Sequence, residues 1–259
     1  MKGAGRREAV SAAAARVLAF GRRGLGERAE YSNIASPMGL AQYVGIAAEV
    51  AAWAGGGRVL DWGAGWGQTS LLLRAHGARV VAYDVEDKGA ATGLLQEADV
   101  PYVVSAGPVL PFPDHAFDAV LNCGVLEHVD DERRALLELR RVLRPGGRLF
   151  TYHLPNRHAY TEWVGRRLGR FHHDRTYTRR EAIDLFERAG FHLEICRPFH
   201  VLPRNVWGRL GLRLTLPEWS GQAYERVDAA FARIPGFRRV ATAWAVVAER
   251  PPGQHAATR

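Results

Sequence analysis

Seven short apolar runs alternating with helical patterns constrain this chain more than any other feature. Arg58 to Asp61, Arg79 to Asp84 (RVVAYD), Tyr102 to Val104, Phe117 to Asn122 (FDAVLN), Arg148 to His153, Phe191 to Cys196 and Val240 to Ala248 (VATAWAVVA) read as strands. Trp66 to His76, Lys88 to Ala98, Asp130 to Leu143 and Arg179 to Ala189 read as helices between them. In DDERRALLELRRVL the leucines recur at helical spacing behind an acidic first turn, and Pro145-Gly146-Gly147 ends the segment. Strands joined through helices pair in parallel, and the helices cover both faces of the sheet. The expected fold is therefore α/β: a seven-stranded, mostly parallel sheet with helices on both faces. No repeat or low-complexity linker divides the 259 residues, so one domain is expected.

The first strand runs into VLDWGAGWGQTS, Val59 to Ser70, which places Gly63, Gly65 and Gly67 ahead of a helix. In an open α/β sheet this turn is the standard place for a nucleotide-like ligand. Glycine permits positive φ there and lets the backbone approach the ligand. A dinucleotide needs GxGxxG so that its pyrophosphate meets the helix N-terminus. Here Gln68 stands where the last of those glycines falls. Asp84 closes the second strand, where a carboxylate can accept hydrogen bonds from both ribose hydroxyls; a turn cap is the plainer reading of the same residue. Asp61 ends the first strand. An acid there attracts an ammonium group, which a dinucleotide lacks.

Composition narrows the partners only a little. Net charge is +8, and Lys2 and Lys88 are the only lysines. Weighting toward arginine, alanine and glycine is what a GC-rich bacterial genome produces, so the charge by itself does not argue for nucleic acid. Arg157, Arg166, Arg167, Arg170, Arg175, Arg179 and Arg180 crowd one stretch. An anionic substrate, a membrane surface or nucleic acid can use such a patch, and a solvated surface needs none of them. No appended nucleic-acid module accompanies it, and no stable nucleic-acid partner is expected. The 2 cysteines, Cys123 and Cys196, cannot build a disulfide framework, and no CxxC or Cys/His spacing suggests a metal. That is compatible with a cytoplasmic protein. MKGAGRREAVSAAAARVLAF has the outline of a secretory signal, yet Glu8 and Arg16 interrupt it, and a helix is expected there instead. No window approaches the ~18 uninterrupted apolar residues of a spanning helix.

With these motifs in order, the chain resembles a class I S-adenosylmethionine-dependent methyltransferase over roughly residues 58–154. VLDWGAGWG resembles the family's first motif and VVAYD its acidic second-strand motif. LPFPDHAFDAVLNCGVLEHV resembles the stretch through the fourth strand, and LRRVLRPGGRLF the helix, Pro-Gly-Gly turn and fifth strand. The resemblance implies a Rossmann-like sheet whose last strand runs antiparallel, with S-adenosyl-L-methionine as cofactor. By position, Asp61 and the backbone of Gly63, Ala64, Gly65 and Gly67 would hold the methionine portion. Asp84 would take the ribose hydroxyls and Val85 would pack beside adenine. Asn122 and Cys123 would line the methionine side. Many relatives carry an acid where this chain has Ala106, so the backbone of Ala106 and Gly107 is expected to meet adenine instead.

An activated sulfonium methyl needs mainly a nucleophile held in line with water excluded, and a hydroxyl or ammonium acceptor must also lose a proton. His153, at the end of the fifth strand, and His128, in LEHV, are the candidate bases, although His128 belongs to the family pattern whatever the acceptor. His172 and His173 project in different directions, and at most one is expected to reach the pocket. The acceptor, expected to be a small organic molecule, should be chosen outside the core (58–154): by an N-terminal cap (1–53), an insertion at 155–178 and another at 198–239. Ser36 is expected to cap a helix starting at Pro37, and Tyr31 to close over the cofactor. In 198–239, Trp207, Leu210, Leu212, Leu214, Leu216 and Trp219 alternate with Arg204, Arg209 and Arg213. They read as core, with an acceptor pocket or a peripheral membrane contact as the alternatives. Oligomeric state is not legible in the sequence.

Overall fold

The computed structural model describes residues 2–24, 33–169, 172–203, 217 and 219–252. Its sheet has seven strands: β1 (Arg58–Trp62), β2 (Arg79–Asp84), β3 (Tyr102–Val104), β4 (Phe117–Cys123), β5 (Leu143–Pro155), β6 (His192–Phe199) and β7 (Ala243–Glu249). Their spatial order is β3-β2-β1-β4-β5-β7-β6. The first five pair in parallel, while β7 runs antiparallel to both β5 and β6. The chain order reverses between β1 and β4. The carboxyl ends there open a crevice in which sheets of this kind bind ligands.

Each strand is apolar on both sides because each face of the sheet is covered. Val59 and Leu60 are both fully buried but belong to opposite clusters. On Val59's side lie α1 (Lys2–Gly24), α2 (Pro37–Ala54) and α3 (Gln68–Ala75), with Val17, Ile46, Val50 and Leu72 inside. On Leu60's side, α5 (Glu132–Val142) and α7 (Arg179–Arg188) contribute Leu136, Leu139 and Phe186. The expected cap at Ser36 is present: its Oγ accepts from the Gly39 amide at 3.0 Å, with Pro37 opening α2. The N-terminal signal-like stretch is helix, as expected.

Several expected boundaries move. The helix expected over Lys88–Ala98 is a 3-10 turn at Ala90–Thr92 followed by the single turn α4 (Leu94–Glu97). Gly93, at φ +73°, breaks it. The helix after β1 begins at Gln68 rather than Trp66, because Gly67 is left-handed at φ +82°. Pro145-Gly146-Gly147 does not separate helix from strand; it is a bulge inside β5, whose pairing with β4 jumps from Phe117↔Leu143 to Ala119↔Arg148. β6 continues to Phe199 because β7 pairs with it as far as Ala243. The described residues also include α6 (Tyr160–Arg167), α8 (Trp219–Phe231) and α9 (Pro235–Arg239).

Candidate functional site

The glycine loop after β1 divides its three glycines between packing and exposure. All three take left-handed φ: +76° at Gly63, +54° at Gly65 and +82° at Gly67. A Cβ on Gly63 would fall 2.3 Å from Val125 Cγ2, and one on Gly67 would fall 2.7 Å from Leu95 Cγ. A Cβ on Gly65 would meet nothing within 4 Å. So Gly63 and Gly67 let neighbouring elements close in, and Gly65 turns bare backbone toward open space. The Gly63 and Ala64 amides both donate to the Tyr83 carbonyl, at 2.8 and 2.9 Å, tying the loop to β2.

Asp84, buried at the end of β2, accepts from the Gly65 amide through Oδ2 at 2.7 Å. Its Oδ1 accepts from the Val85 and Glu86 amides at 2.8 and 3.2 Å. Asp84 therefore caps its own turn, the plainer of the two readings, and is held as a fixed carboxylate with lone pairs to spare. Val85 beside it is 55% exposed, an apolar side chain open to a flat partner. The loop carrying Ala106 and Gly107 lies alongside, held where Ser105 N donates to Asp84 O at 3.1 Å and Tyr83 Oη to Ser105 O at 2.5 Å. Farther along, Arg141 on α5 pins the Leu-Pro-Phe-Pro-Asp stretch by donating to the carbonyls of Leu110 and Phe112 and to Asp114.

Deeper in the crevice, Asp61 is buried and accepts from Ser70 Oγ at 2.6 Å. Burial pushes its carboxyl up to about 6; the Ser70 bond works against this and the Asp84 charge adds to it. Asn122 is fully buried at the end of β4; its Nδ2 donates to Thr151 Oγ1 at 3.4 Å, while its Oδ1 has no hydrogen-bond partner. Burial, then the charges of Asp61 and Glu127, push the Cys123 thiol well up, so it stays protonated between two acids. The chemistry of these groups fits S-adenosylmethionine: open backbone at Gly65, a fixed carboxylate at Asp84, an exposed apolar neighbour at Val85, a buried acid at Asp61 and a buried, unpartnered acceptor at Asn122 Oδ1.

The candidate bases separate in space. His128 has a 58% exposed side chain, with its Nε2 3.9 Å from Glu127 Oε1 and its ring 6.2 Å from that of His173. Glu127, its neighbour in the same 3-10 turn, points inward instead: it is buried, and burial pushes its carboxyl up to about 7. His153 lies at an irregularity in β5–β7 pairing, at φ +62°, with its Cβ 3.7 Å from the position a Cβ on Gly124 would take. Glu127 Oε1 lies 3.8 Å from that same position, so these two groups flank the chain where β4 ends. His153's ring packs on Phe199 (5.0 Å between centroids), His200 (5.8 Å) and Tyr43 (6.1 Å). His200 is buried, also left-handed at φ +59°, with its Nδ1 3.5 Å from Asp228 Oδ2 on α8.

Of the adjacent histidines, His172 is exposed, and His173 Nδ1 is 2.7 Å from Glu162 Oε1. Among the described residues no three His, Cys, Asp or Glu side chains converge on a metal position. The arginine cluster is largely committed to structure. Arg157 pairs with Glu181, Arg175 donates to the Val129 carbonyl, Arg179 donates to Cys196 O, and Arg167 lies over Trp163. Trp219, expected in the core, is 69% exposed. Tyr31, Trp207 and the leucines and arginines of 204–216 lie outside the described residues. Glu127, His200 and Asp228 were not singled out by sequence. Glu127 had only its place in LEHV as a signal, and the other two meet through a fold contact across 28 positions.

Comparison with known proteins places the glycine loop and β4 in one family pattern. Residues 60–151 match the family described as a methyltransferase domain. The demethylmenaquinone methyltransferase of Renibacterium salmoninarum is 35% identical over 119 residues, 44% of this chain and 50% of that protein. Its namesake from Clavibacter sepedonicus is 42% identical over 97 residues, 36% and 40% of the two chains. The match thus spans half or less of the length of these curated relatives. Among solved structures, the [4+2]-cyclase SpnF aligns with a TM-score of 0.57 at 20% identity over 83% of each chain. A Burkholderia thailandensis 1,6-didemethyltoxoflavin-N1-methyltransferase, solved with its substrate and S-adenosylhomocysteine, aligns with a TM-score of 0.53 at 20% identity, over 81% of this chain and 78% of that one. These likenesses establish the Rossmann-like methyltransferase fold.

Proposed function

We propose, from the match of residues 60–151 to the methyltransferase-domain family, that this protein is an S-adenosylmethionine-dependent enzyme that methylates a small organic acceptor of the quinone-like, hydroxylated aromatic class. The observation that carries the cofactor half is the Gly65 amide bonded to a buried Asp84 beside open backbone and an exposed Val85. The acceptor half is supported by the names of the relatives and by the aromatic groups around His153.

In this reading Asp84 takes the ribose hydroxyls, Val85, Ala106 and Gly107 border the adenine, and Asp61, Asn122 and the Gly63–Gly67 backbone hold the methionine portion. Cys123 lines that end as a neutral thiol. When bound, S-adenosylmethionine supplies an activated sulfonium methyl. The protein's own work is to orient the acceptor, exclude water and take a proton. In this reading His153 or Glu127 takes the proton, and the outward side chain of His128 counts against it in that role. The helices of 1–53 and the segments 155–178 and 198–239 choose the acceptor. Exposed Trp219 supports a peripheral lipid contact for an apolar acceptor, and the free cysteines fit cytoplasmic residence. No described helix is long and apolar enough to cross a membrane.

Because a cyclase shares the fold, the test must detect product as well as binding. Incubation with methyl-labelled S-adenosylmethionine and a panel of naphthohydroquinones, phenols and amines, read by mass spectrometry, should show label on a hydroxylated ring. Label on amines alone would overturn the acceptor class.

A further inference from the structure

We propose that His153, His200 and Asp228 form a proton-accepting array at the acceptor end of the site, built for a hydroxylated aromatic ring. The inference deepens the proposed function and rests on it for the cofactor's position.

Three elements converge to build the array. β5 and β6 run in the same direction, with β7 between them, so His153 and His200 emerge at the same edge of the sheet. His153, at the irregularity within β5, and His200, just past β6, are both left-handed, a costly conformation for a residue with a side chain, and one that concentrates at functional sites. Their rings lie 5.8 Å apart, with Phe199 against both. Behind His200, Asp228 uses Oδ1 to accept from the Val201 and Leu202 amides, at 2.9 and 2.7 Å, and turns Oδ2 to the imidazole. Despite burial, the contact with His200, then the Leu202 amide, the His200 charge and the Val201 amide, hold its carboxyl below the usual range. His153 is the inner member, beside Gly124 and the end of β4.

This arrangement divides the labour. An ionised Asp228 favours positive charge on His200, and a charged His200 opposes a second charge on His153. In the array so built, His153 is the member that accepts the acceptor's proton. Titratable groups around the array include Tyr43 on α2, Tyr160 on α6, Tyr224 on α8 and Glu127 across Gly124, with Tyr152 of β5 and Arg197 of β6 packed on Phe199. Burial, then the Tyr224 and Asp228 charges, push Tyr160 up to about 12, so it remains a hydrogen-bond donor for an acceptor oxygen. Tyr43 and Phe199 supply apolar faces for the acceptor ring.

The step balances. The acceptor O–H breaks and its proton goes to His153. The electron pair left on oxygen forms the bond to the methyl carbon. The electrons of the broken C–S bond stay on sulfur, S-adenosylhomocysteine leaves, and the imidazole returns its proton to solvent. His200 and Asp228 are positioning residues in this scheme.

The test is imidazole NMR on the full chain labelled at histidine, comparing wild type with Asp228→Asn and His200→Gln. Asn keeps an oxygen for the Val201 and Leu202 amides while removing the charge facing His200. We expect the titration midpoint of His153 to rise by roughly 1 pH unit in both variants, and a His153 midpoint indifferent to both overturns the array. Should those variants unfold, the reciprocal His153→Gln, read at His200, tests the same coupling. With 1,4-dihydroxynaphthalene as acceptor, His200→Gln should lower kcat about tenfold or more while leaving KM within about threefold; a KM effect alone contradicts the assignment. Loss of S-adenosylmethionine binding in wild type would instead count against the proposed function, because the NMR coupling does not depend on it.

Discussion

The Gly65 amide donates a 2.7 Å hydrogen bond to Asp84 Oδ2 across 19 residues of sequence, joining the loop after β1 to the end of β2. One carboxylate thereby sets the shape of the glycine loop and, in the proposed reading, takes the ribose hydroxyls. Asp84→Ala should weaken S-adenosylmethionine binding by about 100-fold, the loss expected for two hydrogen bonds to a charged group. Calorimetric titration of the variant checks it, and wild-type affinity would remove Asp84 from the cofactor.

The three glycines should fail in different ways. Gly63→Ala drives a methyl into Val125 at a left-handed position and should cost about 2–3 kcal/mol in urea unfolding. Gly65→Ala meets no neighbour and should cost only about 1 kcal/mol of stability, yet lower cofactor affinity more than tenfold. Equal effects of the two variants on both readouts would refute the division between packing and exposure.

Asp61 should show opposed effects on stability and binding. Its carboxyl is pushed from 3.8 up to about 6 by burial, so the folded protein holds this proton more tightly than the unfolded chain does. The resulting penalty on folding is absent below about pH 4, grows between pH 4 and 6, and is full above about 6. Asp61→Asn should therefore stabilise the protein by about 2 kcal/mol at pH 7 and hardly at all at pH 4, while losing cofactor affinity. Denaturant unfolding at the two pH values decides it; a gain at pH 4 equal to that at pH 7 would contradict the buried ionisation.

A cationic ligand should drive protons off the site. Asp61 at about 6 and Glu127 at about 7 both sit near the methionine end, so binding S-adenosylmethionine at pH 6.5 should release protons. Titrations in phosphate and Tris would give binding enthalpies differing in proportion to the protons released. Identical enthalpies in the two buffers would mean that neither carboxyl ionises on loading.

Much of this was legible in the sequence, and the misses have physical causes. The alternating apolar runs marked the seven strands because both sheet faces are buried, and Gly63, Gly65, Gly67 and Asp84 marked the left-handed loop and the carboxylate bonded to it. Helix bounds near Gly67 and Gly93 were misplaced, since periodicity does not register a single left-handed glycine. Glu127 and His128 are adjacent in sequence, and only the 3-10 turn decides which one faces inward. His200 and Asp228 meet because α8 packs on α2 and Asp228 bonds to the chain just past β6, which no local pattern encodes.

The outward position of His128 predicts a contrast. With its side chain 58% exposed, His128→Ala should leave methyl transfer to 1,4-dihydroxynaphthalene within about threefold of wild type, whereas His153→Ala should lower it about 100-fold. The reverse ranking would move the chemistry to the 3-10 turn.

The most direct test of the central claim is parallel calorimetric titration of the purified protein with S-adenosylmethionine, S-adenosylhomocysteine and NAD. The account predicts micromolar binding of the two sulfur compounds and none of NAD. Binding of NAD, or of neither sulfur compound, would contradict it.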